Sequence, residues 1–127
     1  MRILICGDVV GRSGRKAIAQ HLPKLRDRYR VDFVIINGEN AAGGFGITPK
    51  ICDEFFEAGA DAITTGNHVW DQREIIPHFD KEPRILRPAN FPKGTPGKGI
   101  ARLMDAQGRG VVVVQLKIQF DVMPPLY

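Results

Sequence analysis

The chain has 127 residues, a length that suits one domain with one core and that normally buries about two-thirds of the surface exposed by the unfolded chain. With 43% hydrophobic and 25% charged residues it lies near average globular composition, which suggests neither disorder nor a fibrous repeat. A net charge of +4 favours anionic partners, and no apolar run approaches the roughly 20 residues of a membrane-spanning helix, so no membrane role is expected.

Residues 2–6 form a short continuous apolar run, read as a strand buried on both faces of a parallel sheet and ended by Gly7-Asp8. Residues 14–29 carry Ala17, Ile18, Leu22 and Leu25 at helical spacing, with Ser13 as the expected N-cap and Pro23 as an expected kink or restart. Residues 31–36 predict a second strand, followed by a glycine-rich loop over residues 41–47. Thr48-Pro49 has the N-cap and first-turn pattern of a new helix, and Gly59 stands where such a helix ends.

A third strand is expected over residues 61–65, and Asp71-Gln72-Arg73-Glu74 then has the spacing of a capping box opening a short helix. Residues 84–87 predict a fourth strand, residues 91–99 a loop rich in Pro and Gly, and residues 100–104 and 111–117 an antiparallel hairpin. This order predicts an α/β fold: a mostly parallel sheet with flanking helices and right-handed crossovers, plus a C-terminal β-hairpin, in a doubly wound or sandwich arrangement.

Cys6 and Cys52 show no C-x-x-C spacing, and the first apolar run is cut short by Asp8, which argues against a secretory leader. Both are expected to be reduced thiols of a cytoplasmic protein. Basic residues cluster early, at Arg12, Arg15, Lys16, Lys24, Arg26, Arg28 and Arg30, with only Asp27 opposing them. Such a cluster is a solvated helix face or a footprint for RNA.

Three consecutive strands share one ending: Cys6-Gly7-Asp8, Asn37-Gly38-Glu39-Asn40 and Thr65-Gly66-Asn67-His68. Their glycines are 31 and 28 residues apart, about one βα unit each, so a parallel sheet brings Asp8, Glu39, Asn40, Asn67 and His68 to one carboxyl edge, where open α/β sheets bind ligands. Hard oxygen donors with an imidazole point to a metal or phosphate site, and suit Mn²⁺, Fe or Mg²⁺ better than a thiolate zinc site. Gly11, Arg12, Gly43 and Gly44 are further candidates, through backbone N–H groups or a guanidinium, for holding a phosphate. His21 and His78 read as non-catalytic, and Asn90 as a turn residue.

Gly7-Asp8-Val9-Val10-Gly11, Asn37-Gly38-Glu39-Asn40 with Ala41 to Gly46, and Thr65-Gly66-Asn67-His68-Val69-Trp70-Asp71 together resemble the YmdB-like branch of the calcineurin-like metallophosphoesterases. Leu86 to Pro92 and Gly94 to Gly99 extend the resemblance, which covers residues 1 to about 115; it loosens after Val114 and returns at Met123-Pro124-Pro125-Leu126. The resemblance implies an αββα sandwich of which this chain is the first half. It also implies a dinuclear metal phosphodiesterase or phosphatase acting on phosphodiesters such as 2′,3′-cyclic nucleotides.

By matching motif, Asp8 is implied as a ligand of the first ion, Glu39 as the bridge, Asn40 and Asn67 as ligands of the second, and His68 as the proton donor. Two ions of iron, manganese or magnesium are the implied cofactors. Members of the family continue into a second half with further metal-binding histidines, whereas no histidine follows His78 here. A C-terminally truncated single domain is therefore expected, with association into a homo-oligomer to cover its apolar face. The alternative expectation is an inactive nucleotide- or RNA-binding module.

Overall fold

A computed structural model describes residues 1–118; Gln119, Phe120 and the Met123-Pro124-Pro125-Leu126 stretch lie outside them. Strands β1 (Ile3–Cys6), β2 (Phe33–Asn37), β3 (Ala62–Thr64) and β4 (Ile85–Leu86) form one parallel sheet in the order β1-β2-β3-β4. Because spatial order follows chain order, right-handed crossovers bring every connecting helix to the same face. Helices α1 (Gly11–Arg28) and α2 (Pro49–Glu57) accordingly join one core with the 3₁₀ segment Arg73–His78, through Leu22, Ile51, Cys52, Phe55, Ile75 and the alternate strand residues Val34, Ile36, Ile63 and Ile85. Helices thus cover one face of the sheet rather than both, which resolves the two expected arrangements in favour of the sandwich.

The strand residues between those alternates face the other way and build a second core. Phe33, Ile35, Ala62 and Leu86 pack against Ala101, Leu103, Val111 and Val113 of the antiparallel hairpin β5 (Ile100–Met104) and β6 (Gly110–Val114). The layers are helices, parallel sheet, hairpin.

β1 departs from expectation. It is not buried on both faces: Leu4 and Cys6 turn toward the helices, while Ile3 and Ile5 remain 48% and 70% exposed on the hairpin side. A uniformly apolar run signals two apolar faces, but β1 is an edge strand and the hairpin does not reach it. The outer face of the hairpin is apolar too, at Ile100, Met104, Val112 and Val114.

α1 begins at Gly11 rather than after Ser13, with Val10 as a cap that supplies no side-chain hydrogen bond. The Gly11 N–H donates to the Asn40 carbonyl at 2.9 Å, so a loop on the next strand takes the role expected of the serine. Pro23 lies inside the single continuous helix, on its exposed side, and neither breaks nor restarts it. α2 follows expectation closely. Thr48 Oγ1 accepts from Ile51 N–H, Pro49 opens the helix, and Gly59 at φ +110° lets its own N–H reach Phe56 O and that of Ala60 reach Phe55 O, a Schellman ending.

Two of the clustered arginines serve the fold. Arg15 Nη1 donates to Ala41 O at 2.6 Å, and the Arg26 guanidinium joins Gly59 O, Asp32 O and the Asp61 carboxylate, which in turn accepts from Val34 N–H. Burial raises the Cys52 thiol strongly and the Cys6 thiol more modestly; both are free. Among the described residues, no helix is long and apolar enough to cross a membrane.

The hairpin is tied to the sheet by charge. Arg109 bonds Asp105 at 2.6 Å and Asp32 at 2.9 Å. The Arg2 backbone N–H, then the Arg109 charge, hold the Asp32 carboxyl below its usual range. At Asp105 burial pushes up, but the N–H groups of Arg109 and Gln107 and the Arg109 guanidinium together prevail and lower it. A folded-state carboxyl below its unfolded value of about 3.9 lends stability that is complete above that value and disappears as pH falls through the lower folded one. Thermal melts between pH 2 and 7 (about the range where aspartates titrate) should therefore show stability falling with acid below about pH 4, with a shallower fall in Asp32→Asn.

Candidate active site

The register carries the three strand ends to one place. Cys6 pairs with Ile36 and Asn37 with Thr64, and the ladder continues past the strands through Val9 N–H to Asn37 O at 3.0 Å and Gly38 N–H to Thr64 O at 2.9 Å. Asp8, Glu39, Asn40, Asn67 and His68 therefore emerge side by side on backbone anchored to a sheet, as their spacing predicts.

Contacts among them are specific. Asn40 Nδ2 donates to Asp8 Oδ2 at 2.9 Å, which leaves the Asn40 amide oxygen for another partner. Glu39 lies against Gly66: a Cβ at Gly66, where φ is +58°, would overlap a Glu39 carboxylate oxygen. Burial first, and the Asp8 carboxylate second, push the Glu39 carboxyl above its usual range, against the opposing pull of His68 and the Asn67 backbone N–H. Two acids this close, one partly desolvated, form a site that a cation would stabilise.

Among the described residues, no three His, Cys, Asp or Glu side chains make a metal cluster. What assembles is two carboxylates, Asp8 and Glu39, with the amide of Asn40 on Asp8 and the backbone N–H of Asn67 on Glu39. Hard oxygen donors of this kind suit magnesium, manganese or iron better than a thiolate-seeking ion.

His68 ends the 3₁₀ turn Gly66–His68, and its Nδ1 lies 2.6 Å from Asp71 Oδ2. Asp71 was expected to cap the following helix, but the 3₁₀ segment Arg73–His78 has Gln72 at its cap position and no capping side chain. The His-x-x-Asp spacing, three residues on a tight turn, was the signal for this pair, and the overlapping Asp-x-x-Glu pattern obscured it.

The glycine loop closes on the same residues. Gly44 N–H donates to Asn40 O at 3.0 Å, Gly46 N–H to Glu39 O at 2.6 Å, and Gln72 Nε2 to Phe45 O at 2.9 Å. Gly11 and Gly44 thus both spend their N–H groups on the Asn40 carbonyl and have none to offer a phosphate, contrary to expectation. Gly43 is exposed at φ +69°, and Arg12 is exposed in the first turn of α1, close in sequence to Asp8.

Residues 115–118 border the site on its far side. Gln115 Oε1 accepts from Thr65 N–H at 3.1 Å, and the Asn90 amide pairs with both backbone groups of Lys117, at 2.6 and 2.9 Å. A cleft of about 240 Å³ lies between this segment and Glu39, Gly66 and Asn67. Neither Gln115 nor the clamp made by Asn90 was foreseen; their polar atoms act across 50 and 27 residues of chain.

The family model described as YmdB-like protein matches residues 4–126. The chain is 51% identical over 126 residues to the 2′,3′-cyclic-nucleotide 2′-phosphodiesterase of Bacillus subtilis (strain 168), an alignment spanning 99% of this chain and 47% of that protein. Among solved structures, a hypothetical protein from Thermus thermophilus superposes with a TM-score of 0.84 at 45% identity, covering 91% of this chain and 44% of that one. A phosphatase from Mycoplasma pneumoniae does so with a TM-score of 0.82 at 29% identity, covering 98% and 45%. The chain spans less than half the length of these relatives. The match over residues 4–126, almost the whole chain, shows that it belongs to the YmdB-like protein family.

Proposed function

We propose that the chain carries the first half of the active site of a metal-dependent phosphodiesterase that cleaves phosphodiesters such as 2′,3′-cyclic nucleotides. The observation that supports it most is that Asp8, hydrogen-bonded by Asn40, and Glu39 stand at one sheet edge beside His68, with Gly66 leaving room for the Glu39 carboxylate. The B. subtilis relative, with 51% identity, is named for that reaction.

Asp8, Glu39, Asn40 and Asn67 would hold the cations, ions of iron, manganese or magnesium. Bound there, such ions supply positive charge to the phosphoryl oxygens and acidify the attacking water. With Nδ1 engaged by Asp71, His68 has Nε2 for the substrate. As the water oxygen bonds to phosphorus, the P–O ester bond breaks. Doubly protonated, with Nδ1–H on Asp71, His68 gives its Nε2 proton to the departing ester oxygen and is left neutral, and the water's proton passes to solvent.

The RNA-binding reading is weaker, because Arg15 and Arg26 are occupied within the fold. Self-association belongs to the same proposal; the open side of β1 and the outer face of the hairpin support it.

Metal analysis by mass spectrometry, with an assay on 2′,3′-cyclic AMP, tests the reaction. Bound divalent or transition metal is expected, together with losses of about 10²- to 10⁴-fold in kcat for His68→Ala and loss of metal for Asp8→Ala. Undiminished turnover in both variants would sink the proposal.

A further inference from the structure

Phe45 stands out among the exposed apolar side chains because of its position. It is 61% exposed at the tip of the glycine loop, and its ring centroid is 5.7 Å from that of His68, with the planes at 73°. An edge-on neighbour leaves most of the ring to solvent.

The loop is also rigid toward the site. Gly44 and Gly46 hang on the carbonyls of Asn40 and Glu39, and Gln72 holds the Phe45 carbonyl. At Gly46, φ is +73°, and a Cβ would press on His68 O and the Gln72 side chain at 3.1 Å. The Phe45 backbone is thereby held relative to both the acids and the imidazole.

We propose that Phe45 is the stacking platform for the nucleobase of the substrate. This rests on the phosphodiesterase reading above and narrows its substrate class to nucleoside phosphodiesters. In a 2′,3′-cyclic diester both ester oxygens belong to the ribose, so whichever one leaves, the sugar lies beside the group that protonates it. The base is one glycosidic bond further on, and among the described residues the exposed aromatic beside His68 is Phe45. Base–aromatic stacking contributes about 1–3 kcal/mol and accepts any base, so the site should show only a mild preference, purines over pyrimidines.

The test compares wild type, Phe45→Ala and Phe45→Trp on 2′,3′-cyclic AMP and on glycerol 1,2-cyclic phosphate, which has the same reacting ring and no base. Phe45→Ala should lower the ratio of kcat/KM for the nucleotide to that for the glycerol diester by roughly 5- to 100-fold, chiefly through KM, and Phe45→Trp should restore it. An unchanged ratio overturns the proposal. If wild type hydrolyses neither diester, the reaction reading fails, and stacking is decided by NMR with adenosine 3′-monophosphate. Upfield shifts of adenine H2 and H8 that vanish in Phe45→Ala support it; unshifted signals overturn it.

Discussion

Gly66→Ala should weaken metal binding by at least about 10- to 100-fold and remove turnover, while the protein stays folded. The new Cβ would occupy the place of the Glu39 carboxylate, and φ at this residue is +58°. An alanine in the left-handed region costs about 1–2 kcal/mol, a drop of several degrees in melting temperature for a domain of this size. The carboxylate itself is the far end of a flexible side chain and can swing away cheaply. Its ionised form is disfavoured where it stands, by burial and by Asp8, so its departure adds little to the cost of folding.

A small loss of stability with a large loss of metal is the signature of a residue that makes room for a ligand. Isothermal titration with Mn²⁺ and thermal melts measure the two quantities. Should Gly66→Ala keep wild-type affinity, Glu39 is no ligand; Glu39→Gln, which leaves the backbone untouched, checks the same point if the alanine variant folds poorly.

Asp71→Asn should lower kcat by about 10- to 100-fold with KM nearly unchanged. The Asp71 carboxylate at 2.6 Å holds the His68 ring through Nδ1 and leaves Nε2 as the nitrogen presented to the substrate. Asparagine keeps the shape but offers a neutral partner that also accommodates the other tautomer. For a fully buried pair the loss would be larger; here the side chains are 32% and 41% exposed, and water screens part of the effect. Steady-state kinetics give the split, and ¹⁵N chemical shifts of the His68 ring give the tautomer. A rise in KM at constant kcat, with the tautomer unchanged, would assign Asp71 to substrate binding instead.

Much of the site is legible before any folding is considered. The glycines at positions 7, 38 and 66 recur at the length of a βα unit, so a parallel sheet leaves Asp8, Glu39, Asn40, Asn67 and His68 little choice but to share an edge. Thr48, Pro49 and Gly59 likewise announce both ends of α2, because capping is chemistry between near neighbours in the chain.

Other features have no local signal. The apolar run of β1 does not encode its place at the sheet edge, since exposure depends on how far the hairpin reaches. Ser13 has the chemistry of a cap, yet the Asn40 carbonyl, 29 residues beyond Gly11, receives the N–H that opens α1. Asp71 fits two patterns at once, and only the turn at Gly66–His68 directs its carboxylate back to the imidazole.

Sequence alone therefore determined the elements, their order and the polar residues that meet, because strand periodicity, caps and βα spacing act within one unit of chain. Tertiary structure decided which N–H groups are already spent, why Gly66 must lack a side chain and where Phe45 stands, because each depends on atoms that only the packed sheet brings within reach.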